Sequence, residues 1–286
     1  MFIDFSSRPP GPAFAGNASH LANYRRIYRK TESEVASASG DDALAEYLDT
    51  YSRLGASRVV LKARDVRSTF GFRIANADVA EFCRTHGERF IGFAGVDPHR
   101  GDAAVAEFEH AIRELGLRGL NIQGFEHQLA IDDERLYPLY EKCIELDVPV
   151  NIHCGTNFST HTSMTYGAPI ALDRVMIDFP ALRVCASPPG WPWVHELLAV
   201  AWRHPNVWIG TLAMRPRLMT KPHSGYEPLL QYGCTVLQDR MIFGSAYPMM
   251  PVEKALNEFE ALPIPDAVRR KWLHDNAADF LGIAAG

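Results

Sequence analysis

His153 ends a β-rich run, Val148-Pro149-Val150-Asn151-Ile152-His153, and the other chemistry-bearing residues at the ends of such runs are cations and hydrogen-bond formers. Arg8 follows the first run, Arg64 the second, Gln123 the fourth and Ser187 the sixth, with Lys62, Asn121 and Asn151 inside the second, fourth and fifth near their ends. An imidazole titrates near pH 6.5 and can move a proton, and a guanidinium can grip a carboxylate through two parallel hydrogen bonds. The set therefore reads as a cationic rim for a small carboxylate: His153 and Arg8 are the candidate catalytic pair, and Arg64, Asn121, Asn151 and Ser187 are candidate substrate contacts. Ser187 is not read as a nucleophile, because no base stands at a recognisable spacing and no Gly-x-Ser-x-Gly block occurs.

Those residues need a scaffold that gathers strand ends. Eight β-rich runs, at 2–5, 58–63, 90–96, 119–122, 148–153, 183–186, 207–209 and 241–243, alternate with amphipathic stretches at 42–54, 77–85, 103–115, 133–146, 170–179, 193–204 and 226–237. Stretches at 252–262 and 266–281 follow the last run. Eight β/α units predict a (β/α)8 TIM barrel, and 286 residues fit one such domain, 1–286. Three long insertions, at about 6–40, 156–169 and 212–225, fall after the first, fifth and seventh runs, on the face where barrel sites form. Tyr24, Tyr28, Phe70, Phe72 and Tyr166 fall off any periodic face and are expected to line a cavity or an interface. Trp191, Trp193 and Trp202 are expected to pack the sixth helix.

Composition excludes several classes. A net charge of -5 offers no basic field for nucleic acid or anionic lipid, and the cluster 24–30 is too short to reverse it. Five scattered cysteines without a CxxC pair suit reduced thiols in a cytoplasm. No apolar run approaches a membrane span, and the start lacks a signal-peptide pattern. His86, His99, His110, His127, His195, His204 and His274 fall in or beside helices and are expected at the solvated surface, with His161 and His223 in the top-face loops.

Several blocks in order resemble the amidohydrolase-related family that includes aminocarboxymuconate semialdehyde and γ-resorcylate decarboxylases and pyrone dicarboxylate lactonases. They are Ile3-Asp4-Phe5, Gly95-Val96-Asp97-Pro98, the stretch from Arg135 to His153, Trp191-Pro192-Trp193, His204-Pro205-Asn206-Val207, Ile242-Phe243-Gly244-Ser245-Ala246-Tyr247-Pro248 and Asn276-Ala277. The resemblance implies a distorted amidohydrolase-type barrel. It also implies a divalent metal held by His-x-His on the first strand, His on the fifth and sixth, and Asp on the eighth. Here those positions carry Ser6 and Arg8, His153, Ser187 and Ala246. A catalytic zinc site uses three protein ligands, and a guanidinium about 4 Å from a dication repels it by on the order of 8 kcal/mol at an effective dielectric near 20. No metal and no other cofactor is therefore expected, with His153 a vestigial ligand. Cys154 and Cys185 flank two of the positions, but strand alternation is expected to turn both away from the barrel axis. Arg8 is expected either to bind an anion or to pair internally with Asp4 or Asp65.

The residues leave two principal readings open. In one, the chain is a metal-site-deficient subunit that assembles with a metal-bearing homologue, or with itself, and supports that partner's hydrolase, decarboxylase or oxygenase chemistry. In the other, it is a metal-independent decarboxylase or hydrolase of a small carboxylic acid. A small-ligand binder that uses the same mouth without turnover is a third.

Overall fold

The computed structural model describes residues 1–15, 19–24, 26–28 and 41–284. Much of the expected 6–40 insertion, with Arg25, Arg29 and Lys30 of its basic cluster, lies outside the described residues. Eight parallel strands carry the barrel: β1 Phe2–Ser7, β2 Ala56–Lys62, β3 Phe90–Phe93, β4 Leu120–Ile122, β5 Val150–His153, β6 Val184–Ser187, β7 Val207–Thr211 and β8 Met241–Phe243. The ladder divides into β1-β2-β3 and β8-β7-β6-β5-β4. Two parallel bridges, Ser7 with Tyr247 and Ala94 with Leu120, join the two parts into a closed ring. Around it stand α1 Asp41–Arg53, α2 Asn76–His86, α3 Asp102–Arg113, α4 Tyr137–Glu145, α5 Ala171–Asp178, α6 Val194–Arg203, α7 Glu227–Gly233 and α8 Val252–Glu260.

The period of two along each strand separates two apolar compartments. On β2, Val59 and Leu61 join the packing between strands and helices, while Val60 faces the barrel interior with Ile3, Phe5, Ile91, Phe93, Trp208 and Ile242. The C-terminal helix Asn276–Leu281 adds Phe280 to this interior group, with its ring centroid 5.4 Å from that of Phe5. Asn276 Nδ2 anchors that helix by donating to the carbonyls of Gln238 and Met241 at 2.9 and 2.8 Å. A packed floor beneath the strand C-terminal ends is the result.

Two departures from the expected elements bear on the site. The third strand stops at Phe93, short of 96, and at Gly95 the chain runs against the backbone of Ala63, where an added Cβ would sit 2.5 Å from the Ala63 carbonyl. Between β2 and α2 the chain forms an antiparallel hairpin, Arg64–Val66 with Phe72–Ile74, around the helical turn Arg67–Phe70. Three-residue strands are too short to show a periodic signal, and the hairpin sets the position of Arg64.

Candidate functional site

A cavity of about 560 Å³ opens at the strand C-terminal ends. Its lining includes all six candidate residues, Arg8, Arg64, Asn121, Asn151, His153 and Ser187, together with Lys62, Gln123, Ser6 and Ala246. Aromatic walls come from the first two insertions and from neighbouring turns: Tyr24, Tyr28, Phe125, Phe158, Trp191 and Tyr226. Tyr24 and Tyr28 meet the ring of Phe158 at 5.6 and 6.0 Å, so the first and second insertions close on each other.

The floor polar groups form one network. Asn151 Oδ1 accepts from Lys62 Nζ at 3.2 Å and from Ser187 Oγ at 2.6 Å. Its Nδ2 donates to Asn121 Oδ1 at 2.9 Å, which also accepts from Gln123 Nε2 at 3.0 Å. Asn121 Nδ2 donates in turn to the Ala63 carbonyl at 3.0 Å. Because an ammonium can only donate, the Lys62 contact requires the amide oxygen of Asn151 to face it, and the rest of the chain follows from that choice. Lys62 also lies 4.5 Å above the centroid of Phe5. Burial pulls its pKa down to about 8, against the opposing pull of Cys185 and Asp4.

His153 is buried against Phe125, with ring centroids 4.6 Å apart, and its Nδ1 makes no hydrogen bond among the described residues. Burial lowers its pKa to about 4, outweighing the attraction of Glu126, so the imidazole is neutral at neutral pH. Arg64 is bound to Glu126 through Nε at 3.2 Å and Nη1 at 3.2 Å. Glu126 also meets His20 Nε2 at 2.7 Å. Burial alone would raise Glu126, but Arg64 and His20 outweigh it and hold the carboxyl below its usual range. His20 and Glu126 were absent from the sequence reading. His20 lies in an aperiodic loop, and its stacking on Phe70 at 4.0 Å is a contact no local pattern announces.

Other sequence expectations need correction. Cys185 faces the barrel interior, packed with Phe5, Phe93 and Trp208, because it stands two residues before Ser187 and shares its side of the strand. Only Cys154 turns outward. Asp4 is occupied by Tyr51, Ser245 and the Ser6 amide, and Asp65 by Arg67, so neither is the internal partner proposed for Arg8. In the seventh-strand loop, Arg215 and Arg217 pair with Glu258, and His223, like His161 of the other loop, is exposed outside the cavity lining. His127 and His274 are buried rather than solvated. Trp191 lines the cavity and Trp202 is 60% exposed, so neither is a simple packing residue of α6.

A closed ring of eight parallel strands, with helices outside and a polar cavity at the strand C-terminal ends, defines a TIM-barrel protein of the kind that hosts small-molecule chemistry at its mouth. The chain belongs to the amidohydrolase family Amidohydro_2, which it matches over residues 25–283. It is 24% identical over 270 residues to a γ-resorcylate decarboxylase of Polaromonas sp. strain JS666, covering 80% of this chain and 82% of that protein. A γ-resorcylate decarboxylase of Rhodococcus jostii strain RHA1 is also 24% identical, over 74% of this chain and 76% of its own length. Among solved structures, an uncharacterized TIM-barrel protein from Bordetella bronchiseptica superimposes with a TM-score of 0.80 at 31% identity, covering 98% of each chain. The Polaromonas dihydroxybenzoic acid decarboxylase, solved with bound manganese and 2-nitroresorcinol, shares the fold at a TM-score of 0.70 and 19% identity, over 98% of this chain and 96% of that one.

The described side chains at this cavity do not fit a divalent ion. Among the described residues no group of three or more His, Cys, Asp or Glu converges. The lining brings His153 together with the cations Arg8, Lys62 and Arg64, and Ser187 is committed to Asn151. Burial raises the Cys185 thiol to about 12, which keeps it protonated.

Proposed function

We propose that the protein is a metal-independent enzyme, a decarboxylase or hydrolase, acting on a small aromatic or unsaturated carboxylic acid held in the barrel mouth. The observation that carries this reading is the convergence of Lys62 and Arg64 on one aromatic-walled cavity, where the buried carboxylates beside them are already engaged, Glu126 by Arg64 and His20 and Asp4 by Tyr51 and Ser245. Such a cavity presents net positive charge and flat apolar walls, which match the two halves of an aromatic acid. Arg64 has Nη2 left for a carboxylate, Asn121, Gln123 and Ser187 orient the remaining polar groups, and neutral His153 is placed to accept or return a proton. The γ-resorcylate decarboxylases among its relatives give the same substrate class independent support.

The test is thermal stabilisation and carbon dioxide release with a panel of benzoates, hydroxybenzoates and muconates, before and after exhaustive chelation. Saturable stabilisation and turnover that survive chelation are expected. Activity that vanishes on chelation and returns with manganese or zinc would refute the metal-independent reading.

A supporting-subunit role, alongside a metal-bearing homologue or a second copy of this chain, draws on a different observation. Ile170, Ile177 and Trp202 are 58%, 54% and 60% exposed at α5 and α6, which Arg203 and Asp173 tie together at 3.0 Å. Sedimentation of the protein, alone and mixed with its relative, tests it; a single monomeric species in both would remove it.

A further inference from the structure

A lysine placed inside a fold is normally paired. Lys62 makes no ion pair among the described residues: its Nζ meets only the Asn151 amide oxygen at 3.2 Å and the face of Phe5 at 4.5 Å. Asn151 is itself fixed through Asn121 to the Ala63 carbonyl, so the amine is held at one point on the cavity floor. Ser187 Oγ reaches the same oxygen at 2.6 Å, which places a hydroxyl beside the amine. Arg64 stands two residues further along the chain, roughly 7 Å of strand rise away, and also lines the cavity with Nη2 uncommitted.

We propose that Lys62 is a covalent site, whose Nζ forms an imine with the keto carbon of a 3-oxo carboxylic acid while the acid's carboxylate lies toward Arg64. This rests on the carboxylate reading of the cavity and narrows it to one substrate class. The neutral amine adds to the keto carbon, the carbonyl oxygen takes up a proton, and water leaves to give the iminium. The bond between the α-carbon and the carboxylate then breaks, its electron pair moves into the C=N unit, and carbon dioxide departs. The enamine carbon accepts a proton, and one water hydrolyses the resulting iminium to release the ketone and restore Lys62. The net change is an oxo acid anion plus one proton giving a ketone plus carbon dioxide. Burial of Lys62, which brings its pKa to about 8, keeps a share of the amine neutral near neutral pH, as the first step requires.

The experiment adds sodium borohydride to the full-length protein with benzoylacetate and maps the reduced adduct by peptide mass spectrometry. The Lys62 peptide is expected to carry it in about tenfold or greater excess over Lys221, which is exposed and lies outside the cavity lining that would hold the acid. Lys62→Arg, which keeps the charge, is expected to lose the adduct. Label spread evenly over the lysines, or an unmodified Lys62 in the wild-type protein, would overturn the proposal, and the wild-type map decides even if the variant fails to fold. Benzoate, which has no keto carbon, separates the two readings. If benzoate stabilises the protein while Lys62 stays unlabelled, the imine is wrong and the carboxylate site stands; if neither occurs, both fall. Acetophenone labelling Lys62 as strongly as benzoylacetate would overturn the assignment of the carboxylate to Arg64.

Discussion

His20 and Glu126 stand 106 positions apart in the sequence and share a buried hydrogen bond of 2.7 Å. The contact fastens the segment after β1 to the turn after β4, and the same carboxylate holds Arg64 at the cavity wall. Two side chains, His20 and Arg64, thus depend on one anion.

Removing that anion is therefore costly. Glu126→Leu strands a partly buried guanidinium and leaves buried His20 without its partner, and a loss of about 2–3 kcal/mol is expected from urea denaturation. Glu126→Gln keeps the shape and is expected to lose less. An unchanged urea midpoint for Glu126→Leu would show that the pair contributes nothing.

Acid should destabilise the protein well before its carboxylates titrate. Burial lowers His153 and His127 from about 6.5 to about 4. The unfolded chain takes up these protons near pH 6.5, whereas the folded chain resists until about pH 4. Stability is then full above pH 6.5, declines through the window between those values and levels off below it, by on the order of 3 kcal/mol per histidine. Urea midpoints measured across the window should fall steadily, and His153→Phe should flatten part of the slope. A level profile would contradict the burial argument.

Arg64 is expected to recognise a carboxylate through its planar fork. Arg64→Lys keeps the charge toward Glu126 but loses the fork, so benzoate affinity measured calorimetrically should weaken about tenfold. A Kd within about twofold of the wild type would remove Arg64 from ligand recognition.

Asp4 is the structural clasp of the first and last strand ends. It accepts from Tyr51 Oη at 2.7 Å, Ser245 Oγ at 2.6 Å, and the amides of Ser245 and Ser6 at 2.8 and 3.2 Å. Burial raises its pKa, opposed by these donors. Asp4→Asn turns an amide NH2 toward groups that themselves donate, and a loss of about 2–4 kcal/mol is expected in thermal or urea unfolding. Wild-type stability in Asp4→Asn would mean that the donors find other acceptors.

The barrel was legible because its signal is local. Val59-Val60-Leu61, Val150-Asn151-Ile152-His153 and Met241-Ile242-Phe243 mark strands by themselves, and counting residues from a strand end tells which polar side chains reach the mouth. That is why Arg64, Asn121, Asn151, His153 and Ser187 were found together in one cavity. The same rule, misapplied by one position, turned Cys185 the wrong way. The hairpin at Arg64–Val66 and the inward turn of His20 were not legible, since both depend on contacts with distant segments.

Residue order alone therefore determined the strand count, the helical cover and the polar character of the mouth, because side-chain periodicity is set by neighbours two to four positions away. Only the folded chain decided which charges are neutralised. Arg64 gains Glu126, which also takes His20, while Lys62 is left with an amide oxygen and an aromatic face. The reason is physical: a side chain's ionisation depends on its desolvation and on the charges within a few ångströms, and both are fixed by packing across the barrel rather than by position along the strand.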